Sequence, residues 1–167
     1  MPPRGVVPVP PGPGQESVWD YPRPPRAERS ERLVTVRLGG VDVCHTRRAV
    51  RVLETSHPPG WYLPAEDWLE GALTAAPGSS LCEWKGVARY LTVSGGTRSE
   101  PAAAWTYPDP VPAYDLLRGT VAVYPGRMDA CTVDGEPVRA QGGGFYGGWV
   151  TDDVVGPFKG GRGSTYW

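Results

Sequence analysis

Reactive side chains crowd into one stretch of this sequence. Glu54-Thr55-Ser56-His57-Pro58-Pro59-Gly60-Trp61-Tyr62-Leu63-Pro64 sets a carboxylate, two hydroxyls, a histidine and two large aromatics within eleven residues. His57 is one of only two histidines, and imidazole changes charge near neutral pH. It can serve as a general base oriented by Glu54 or Asp67. Lysine is equally scarce: of 17 basic residues only Lys85 and Lys159 are lysines. Lys85, just before Gly86, offers a point charge for a carboxylate or phosphate. Cys82 is a candidate nucleophile, because a nearby cation lowers a thiol's pKa and Lys85 is three residues away. Residues three apart on an extended strand face opposite ways, so that pairing requires a turn. Glu83 would oppose the thiolate. Tyr62, Trp105 and Tyr107 can stack on a planar ligand. The catalytic candidates are therefore His57, Glu54, Cys82 and Lys85, and the ligand-binding candidates Tyr62, Asp67, Trp105 and Tyr107. Each has a plain structural counterpart: a hydrogen-bonded loop histidine, a solvated lysine, a buried cysteine, a core aromatic.

Mainly β elements must position these residues. Pro58, Pro59 and Pro64 forbid a helix interior, so the histidine stretch reads as a stiff, extended loop. Alternating, β-rich runs predict strands at Leu33–Leu38, Val41–Cys44, Ala49–Leu53, Val87–Val93, Thr120–Tyr124 and Met128–Val133. Ala102–Trp105 reads as extended. Gly39-Gly40, Gly95-Gly96 and Asp134-Gly135 are hairpin signals, and Pro77-Gly78 is a turn. Arg26–Arg32 reads as a charged connector. Pro64-Ala65-Glu66-Asp67 has the chemistry of a helix start, with Trp68, Leu69, Ala72 and Leu73 on one face. At most one short helix is expected. Residues 1–14 form a Pro/Gly tail expected to be disordered, residues 15–140 a β domain, and residues 141–167 a Gly/aromatic extension. Aromatics are costly to leave in water, so the extension must wrap the domain, form a lid that brings Lys159 to the pocket, or meet a second subunit as a homodimer contact.

Two stretches echo each other. Trp19-Asp20-Tyr21-Pro22-Arg23-Pro24 matches Trp105-Thr106-Tyr107-Pro108-Asp109-Pro110. Val34, Val36, Gly39, Asp42 and Cys44 align with Val121, Val123, Gly126, Asp129 and Cys131. The pattern fits a domain of two similar β units, with Cys44 and Cys131 as core residues.

Composition narrows the function. The net charge of −1 makes no case for nucleic acid or an acidic membrane. No apolar run reaches the roughly 20 residues of a membrane helix, and no signal-peptide centre opens the chain. Cys44, Cys82 and Cys131 lie far apart without a Cys-x-x-Cys pair, so a zinc ribbon is not expected. An odd thiol count without an export signal predicts a cytoplasmic protein with reduced cysteines. No cofactor is expected.

The combined motifs resemble the domain-of-unknown-function 427 family. The matching residues are Glu54-Thr55-Ser56-His57-Pro58-Pro59, Tyr62, Pro64, Glu66-Asp67, Cys82-x-Trp84-Lys85-Gly86, Ala104-Trp105-x-Tyr107-Pro108-Asp109-Pro110 and Asp129. The resemblance spans roughly residues 16 to 138. The tail Gly143-Gly144-Phe145-Tyr146-Gly147-Gly148-Trp149 with Gly156-Pro157-Phe158-Lys159-Gly160-Gly161 is similar to that of actinobacterial, hence bacterial, members. The resemblance implies a compact, mostly antiparallel domain of two sheets, like the "β-tent". Many β-tent proteins hold zinc through two Cys pairs, which this chain lacks. Glu83 departs from the proline expected between Cys82 and Lys85. A nucleotidyltransferase label also attaches to the family, but no glycine-rich phosphate loop with Lys-Ser or Lys-Thr is present.

These readings converge on a pocket lined by His57, Tyr62, Lys85 and Trp105 that takes a small polar or anionic molecule, with acid/base chemistry through His57. Two alternatives stay open: a non-catalytic interaction module docking through the aromatic tail, and a thiol enzyme using Cys82. The sequence names neither substrate nor reaction.

Overall fold

Residue alternation decides which face of each strand is buried. The computed structural model describes residues 2–167. Its strands are β1 (Glu16–Ser17), β2 (Arg26–Ser30), β3 (Val34–Leu38), β4 (Val41–Thr46), β5 (Ala49–Leu53), β6 (Gly60–Pro64), β7 (Leu73–Cys82), β8 (Gly86–Gly95), β9 (Arg98–Thr106), β10 (Thr120–Val123), β11 (Ala130–Val133), β12 (Glu136–Pro137), β13 (Arg139–Ala140), β14 (Trp149–Val150) and β15 (Val154–Val155). Seven form one sheet in the order β2-β5-β6-β10-β9-β8-β7, and four form a second in the order β12-β11-β3-β4. Every pairing within these two sheets is antiparallel. The protein is thus mainly β, built on these two sheets with two further two-stranded pairs, β1-β15 and β13-β14. No helix of the described residues is long and apolar enough to cross a membrane.

On β6, Trp61 and Leu63 enter the core between the sheets while Tyr62 points to the opposite face. On β10, Val121 and Val123 go inward and Ala122 goes out. The second sheet answers with Val34, Val36, Leu38, Val43 and Val133, all fully buried. Burying one such aliphatic side chain stabilises by roughly 1.5–3 kcal/mol. The outer face of the larger sheet is not bare either. Val50, Val52, Tyr62, Ala88, Tyr107, Tyr114, Leu117 and Ala122 form a second apolar cluster there.

Turn chemistry fixes the registers. Gly39 and Gly40 both have positive φ (63° and 78°), as do Asp134 and Gly135 (49° and 82°). Two such residues in a row are what a type I′ hairpin turn requires. They close β3–β4 and β11–β12.

The structure departs from the sequence reading in four places. The expected helix after Pro64 is a single 3-10 turn, Ala65–Asp67. Trp68 leaves it in extended conformation, because its ring is drawn into the inter-sheet core and its backbone bridges Cys44. The charged connector is strand β2. It lies at the sheet edge, where charged side chains are tolerated and discourage edge-to-edge pairing. Pro77-Gly78 sits inside β7 at a register shift between Ala75 and Ser79. β7 is the opposite edge, where a strand proline whose N–H side faces solvent loses no ladder bond. Finally, the echoed stretches are not equivalent. Trp19 lies in a 3-10 turn and Trp105 on β9, and β3 and β10 belong to different sheets. Short apolar runs resemble one another wherever one face is buried. Cys44 and Cys131 do flank Val36 across β4–β3–β11, both buried and free.

The segment from residue 141 onward turns back over the domain. Trp149 is fully buried in the inter-sheet core, its indole N–H donating to the Val123 carbonyl at 3.2 Å. β15 pairs in parallel with β1, and Val9 N–H donates to the Gly156 carbonyl at 2.8 Å.

Candidate functional site

A cavity of about 470 Å³ opens on the outer face of the seven-stranded sheet. Its floor is a cross-strand row. Tyr90 on β8 faces Trp105 on β9, and Trp105 faces Ala122 on β10. One step along the β10–β6 register, Ala122 meets Tyr62, which in turn faces Val50 on β5. Cross-strand neighbours share one face, so three large rings and one small alanine lie in line. Gly60 and Ala88 lie alongside and keep the space open. Trp105 Nε1–H donates to the Tyr62 hydroxyl at 3.3 Å, and the Trp105 and Tyr124 rings lie 4.7 Å apart.

The histidine stretch forms one wall. A tight turn closes where His57 N–H donates to the Glu54 carbonyl at 3.0 Å. Ser56 takes φ 74° at its centre and is fully buried, a conformation that side-chain-bearing residues hold only where surroundings impose it. Here Ser56 N–H donates to the Val18 carbonyl, and Lys159 N–H donates to the Ser56 carbonyl. The Thr55 hydroxyl donates to the Tyr21 carbonyl at 2.5 Å. The turn is therefore tied down on three sides and carries His57 into the cavity.

A six-residue flap, 142–147, closes the β13–β14 hairpin over this wall. Gln141 at its base is 4% exposed and all its side-chain groups are used. Its Oε1 accepts from Gly148 N–H at 3.1 Å, which fixes the amide's orientation. Its Nε2 then faces His57 Nδ1 at 3.2 Å and the Lys159 carbonyl at 2.6 Å. An amide nitrogen can only donate. His57 Nδ1 must accept, so the imidazole proton sits on Nε2, which lies 3.7 Å from Glu54 Oε2. Burial and the cations of Lys159, Arg23 and Lys85 push the imidazole down to about 4, so it is neutral at pH 7. The expected general base is thus a neutral hydrogen-bond donor, because its basic nitrogen is already engaged.

The flap lies directly on the floor. A Cβ at Gly147 would collide with the Trp105 ring, and one at Gly148 would lie 2.6 Å from Pro58 Cγ. Tyr146 meets His57 edge-on at 4.8 Å. Phe145 stays 77% exposed.

Both lysines of the chain line the cavity. Lys85 sits at the β7–β8 hairpin tip, which Val111 N–H pins through the Lys85 carbonyl at 2.9 Å. Its ammonium lies 5.7 Å from the Tyr107 ring centre. Burial works against its charge, but Tyr62, Cys82 and Glu54 outweigh it and hold its pKa above the usual lysine value. A charged ammonium is an electrostatic anchor and no nucleophile. Lys159 arrives from the tail, 5.4 Å from the Tyr146 ring, and donates to the Trp167 backbone oxygen at 2.8 Å. Burial, then Tyr62 and Cys82, raise the Tyr107 hydroxyl's pKa, so Tyr107 stays protonated.

Cys82 is half-buried at the cavity wall, where the hairpin supplies the turn that its pairing with Lys85 requires. Cys44 and Cys131 are far inside the core, and burial pushes the Cys44 thiol up to about 12. Among the described residues, no three His, Cys, Asp or Glu side chains cluster as metal ligands.

Of the residues singled out by sequence, His57, Glu54, Tyr62, Cys82, Lys85, Trp105 and Tyr107 come together here. Asp67 does not. It accepts from the Thr46 hydroxyl at 2.6 Å and from Arg48 at 2.7 Å, and that Arg48 bond holds its carboxyl below the usual range. Tyr90, Tyr124 and Gln141 went unread. Strand alternation around Tyr90 was the only available signal; Gln141 carried none.

No curated protein matches the sequence. A family model described as "Domain of unknown function (DUF427)" matches residues 26–134, well over half of the chain. The protein belongs to this domain-of-unknown-function 427 family.

Proposed function

We propose that the cavity binds a small anionic molecule. One observation carries this reading: the only two lysines of an arginine-rich chain, 74 residues apart by subtraction, line the same cavity. The groups around them favour the same ligand. His57 presents Nε2–H, Tyr107 keeps its proton, and both ammonium groups donate. Of the two lining carboxylates, Glu54 beside His57 is answered by Arg23 at 3.6 Å, and Glu83 is exposed to solvent at the hairpin tip. A cavity furnished chiefly with donors suits a carboxylate or phosphate.

Any catalysis at this site would use His57 as a neutral electrophile. Its Nε2–H would polarise a carbonyl or steady a developing oxyanion, with Lys85 adding charge. Abstraction of a proton by Nδ1 would first have to break the Gln141 bond. The roof residues Gln141, Tyr146 and Lys159 lie beyond the family match, so the extension would determine what this member accepts.

The docking-module reading stands second. Phe145 and Tyr166 are 77% and 72% exposed, but Trp149 and Tyr146 are turned inward. A thiol role for Cys82 rests on its place in the cavity wall.

A thermal-shift screen of small anions tests the proposal. A ligand at a hundred times its Kd stabilises by about 2.7 kcal/mol, a shift of several degrees for a chain of this size. The shift should vanish in Lys85→Ala and in Lys159→Ala. A shift that persists in both variants would place the anion elsewhere.

A further inference from the structure

Building on the anion reading, we infer that the ligand is a flat aromatic ring bearing one acidic group, carboxylate or phosphate. The walls carry the argument. Tyr62, Tyr90, Trp105, Tyr107 and Tyr124 stand on or beside the sheet, and Tyr146 comes down from the flap. Aliphatic lining is sparse: Val52, Pro58, Ala88 and Leu81, the last 78% exposed. An aliphatic acid would find few side chains of its own kind. A ring would find faces and edges on several sides, and ring–ring contacts add to simple area burial.

The dimensions agree. Tyr90 and Tyr62 lie three strand positions apart, which is about 14 Å at the usual strand spacing. Gly60 and Ala88, the small residues lining the cavity beside the row, leave room for a ring. The cavity measures about 470 Å³, many times the ~30 Å³ share of one water molecule. A bare inorganic anion would leave most of it to solvent.

Polarity is one-sided. His57 and Lys159 both lie against the Tyr146 ring, and Lys85 stands at the hairpin tip against Tyr107. The Tyr90 end carries no cationic lining group. A ligand with an acidic head and an apolar, planar body matches that asymmetry. Lys85 against Tyr107 and Lys159 against Tyr146 place each charge at a ring, where the head and body of such a ligand would join.

Isothermal titration of the full chain decides the matter, using indole-3-carboxylate, phenyl phosphate, cyclohexanecarboxylate and inorganic phosphate. The aromatic acids should bind roughly tenfold more tightly than cyclohexanecarboxylate, the gain expected from one or two ring contacts. The preferred head group identifies carboxylate or phosphate. Tyr90→Leu, at the half-buried end of the row, should narrow the aromatic advantage. Lys85→Ala should weaken every acid alike. Equal binding of cyclohexanecarboxylate and the aromatic acids, still dependent on Lys85, would overturn the aromatic inference and leave the anion reading standing. Absence of binding by all four would overturn both. Aromatic binding indifferent to Lys85→Ala would also overturn both, since the acidic head would not be held here.

Discussion

Gln141 Nε2 faces His57 Nδ1 at 3.2 Å, and that contact determines where the imidazole keeps its proton. Gly148 N–H orients the amide, so the chain's own backbone sets the tautomer of a side chain 84 residues earlier. The consequence can be read by long-range proton–nitrogen NMR. Wild-type His57 should carry its proton on Nε2. Gln141→Leu should give a mixture of tautomers. Gln141→Glu should move the proton to Nδ1 and raise the imidazole pKa, because a carboxylate there accepts and favours the cation. An Nδ1–H signal in the wild type would refute the arrangement.

His57 also ties stability to pH. Its folded pKa is about 4, against 6.5 unfolded. Between these values the unfolded chain binds more protons, so stability rises with pH. The stabilisation is complete above pH 6.5 and is lost as pH falls towards 4. Urea titrations at pH 7 and pH 4.5 should differ by about 2–3 kcal/mol from this residue. His57→Gln should flatten that part of the profile; an unchanged slope would show that His57 is not the source.

Gly147 is where the flap meets the floor. A methyl group there would strike the Trp105 ring. The flap is more yielding than the sheet, so Gly147→Ala should lift it. We expect a loss of no more than about 1–3 kcal/mol in stability, faster amide exchange over residues 141–148, and roughly tenfold weaker anion binding. Unchanged exchange would mean that the flap is not seated as described.

Much of the fold was legible because its strands alternate. β3 and β11 bury every second residue, and Gly39-Gly40 and Asp134-Gly135 announce their turns. β2 was not legible, since an edge strand needs no apolar face. The helix expected after Pro64 failed for a related reason: local capping chemistry at Glu66-Asp67 was overruled by burial of Trp68. The site was legible through scarcity. Two histidines and two lysines in a chain rich in arginine drew attention to His57, Lys85 and Lys159, and the fold gathers all three. Asp67 misled because sequence does not show that Arg48 and Thr46 claim it. Gln141 was silent because its importance is wholly positional.

Trp149 anchors the flap's far end. Removing a fully buried indole costs about 3–5 kcal/mol. Trp149→Ala should lose that much in chemical denaturation and should free the flap as well. A loss below about 1 kcal/mol would show that the tail adds little to the core.

The cysteines offer a chemical probe. Cys44 and Cys131 are buried in the core, while Cys82 lines the cavity. Iodoacetamide at mild alkaline pH should modify Cys82 alone in the native protein, since the thiolate is the reactive form. A bound anion should slow that reaction. Comparable labelling of Cys44 would contradict the packing of the inter-sheet core.

The central claim is that two lysines and a neutral histidine hold an anion above an aromatic floor. Its most direct test is a phenyl phosphate titration followed by proton–nitrogen NMR of the full chain, alongside the Lys85→Ala/Lys159→Ala double variant. Saturable shifts are expected at His57, Lys85, Gln141 and Gly147, and they should disappear in the double variant. Shifts confined to other surfaces, or shifts that survive in the double variant, would contradict the claim.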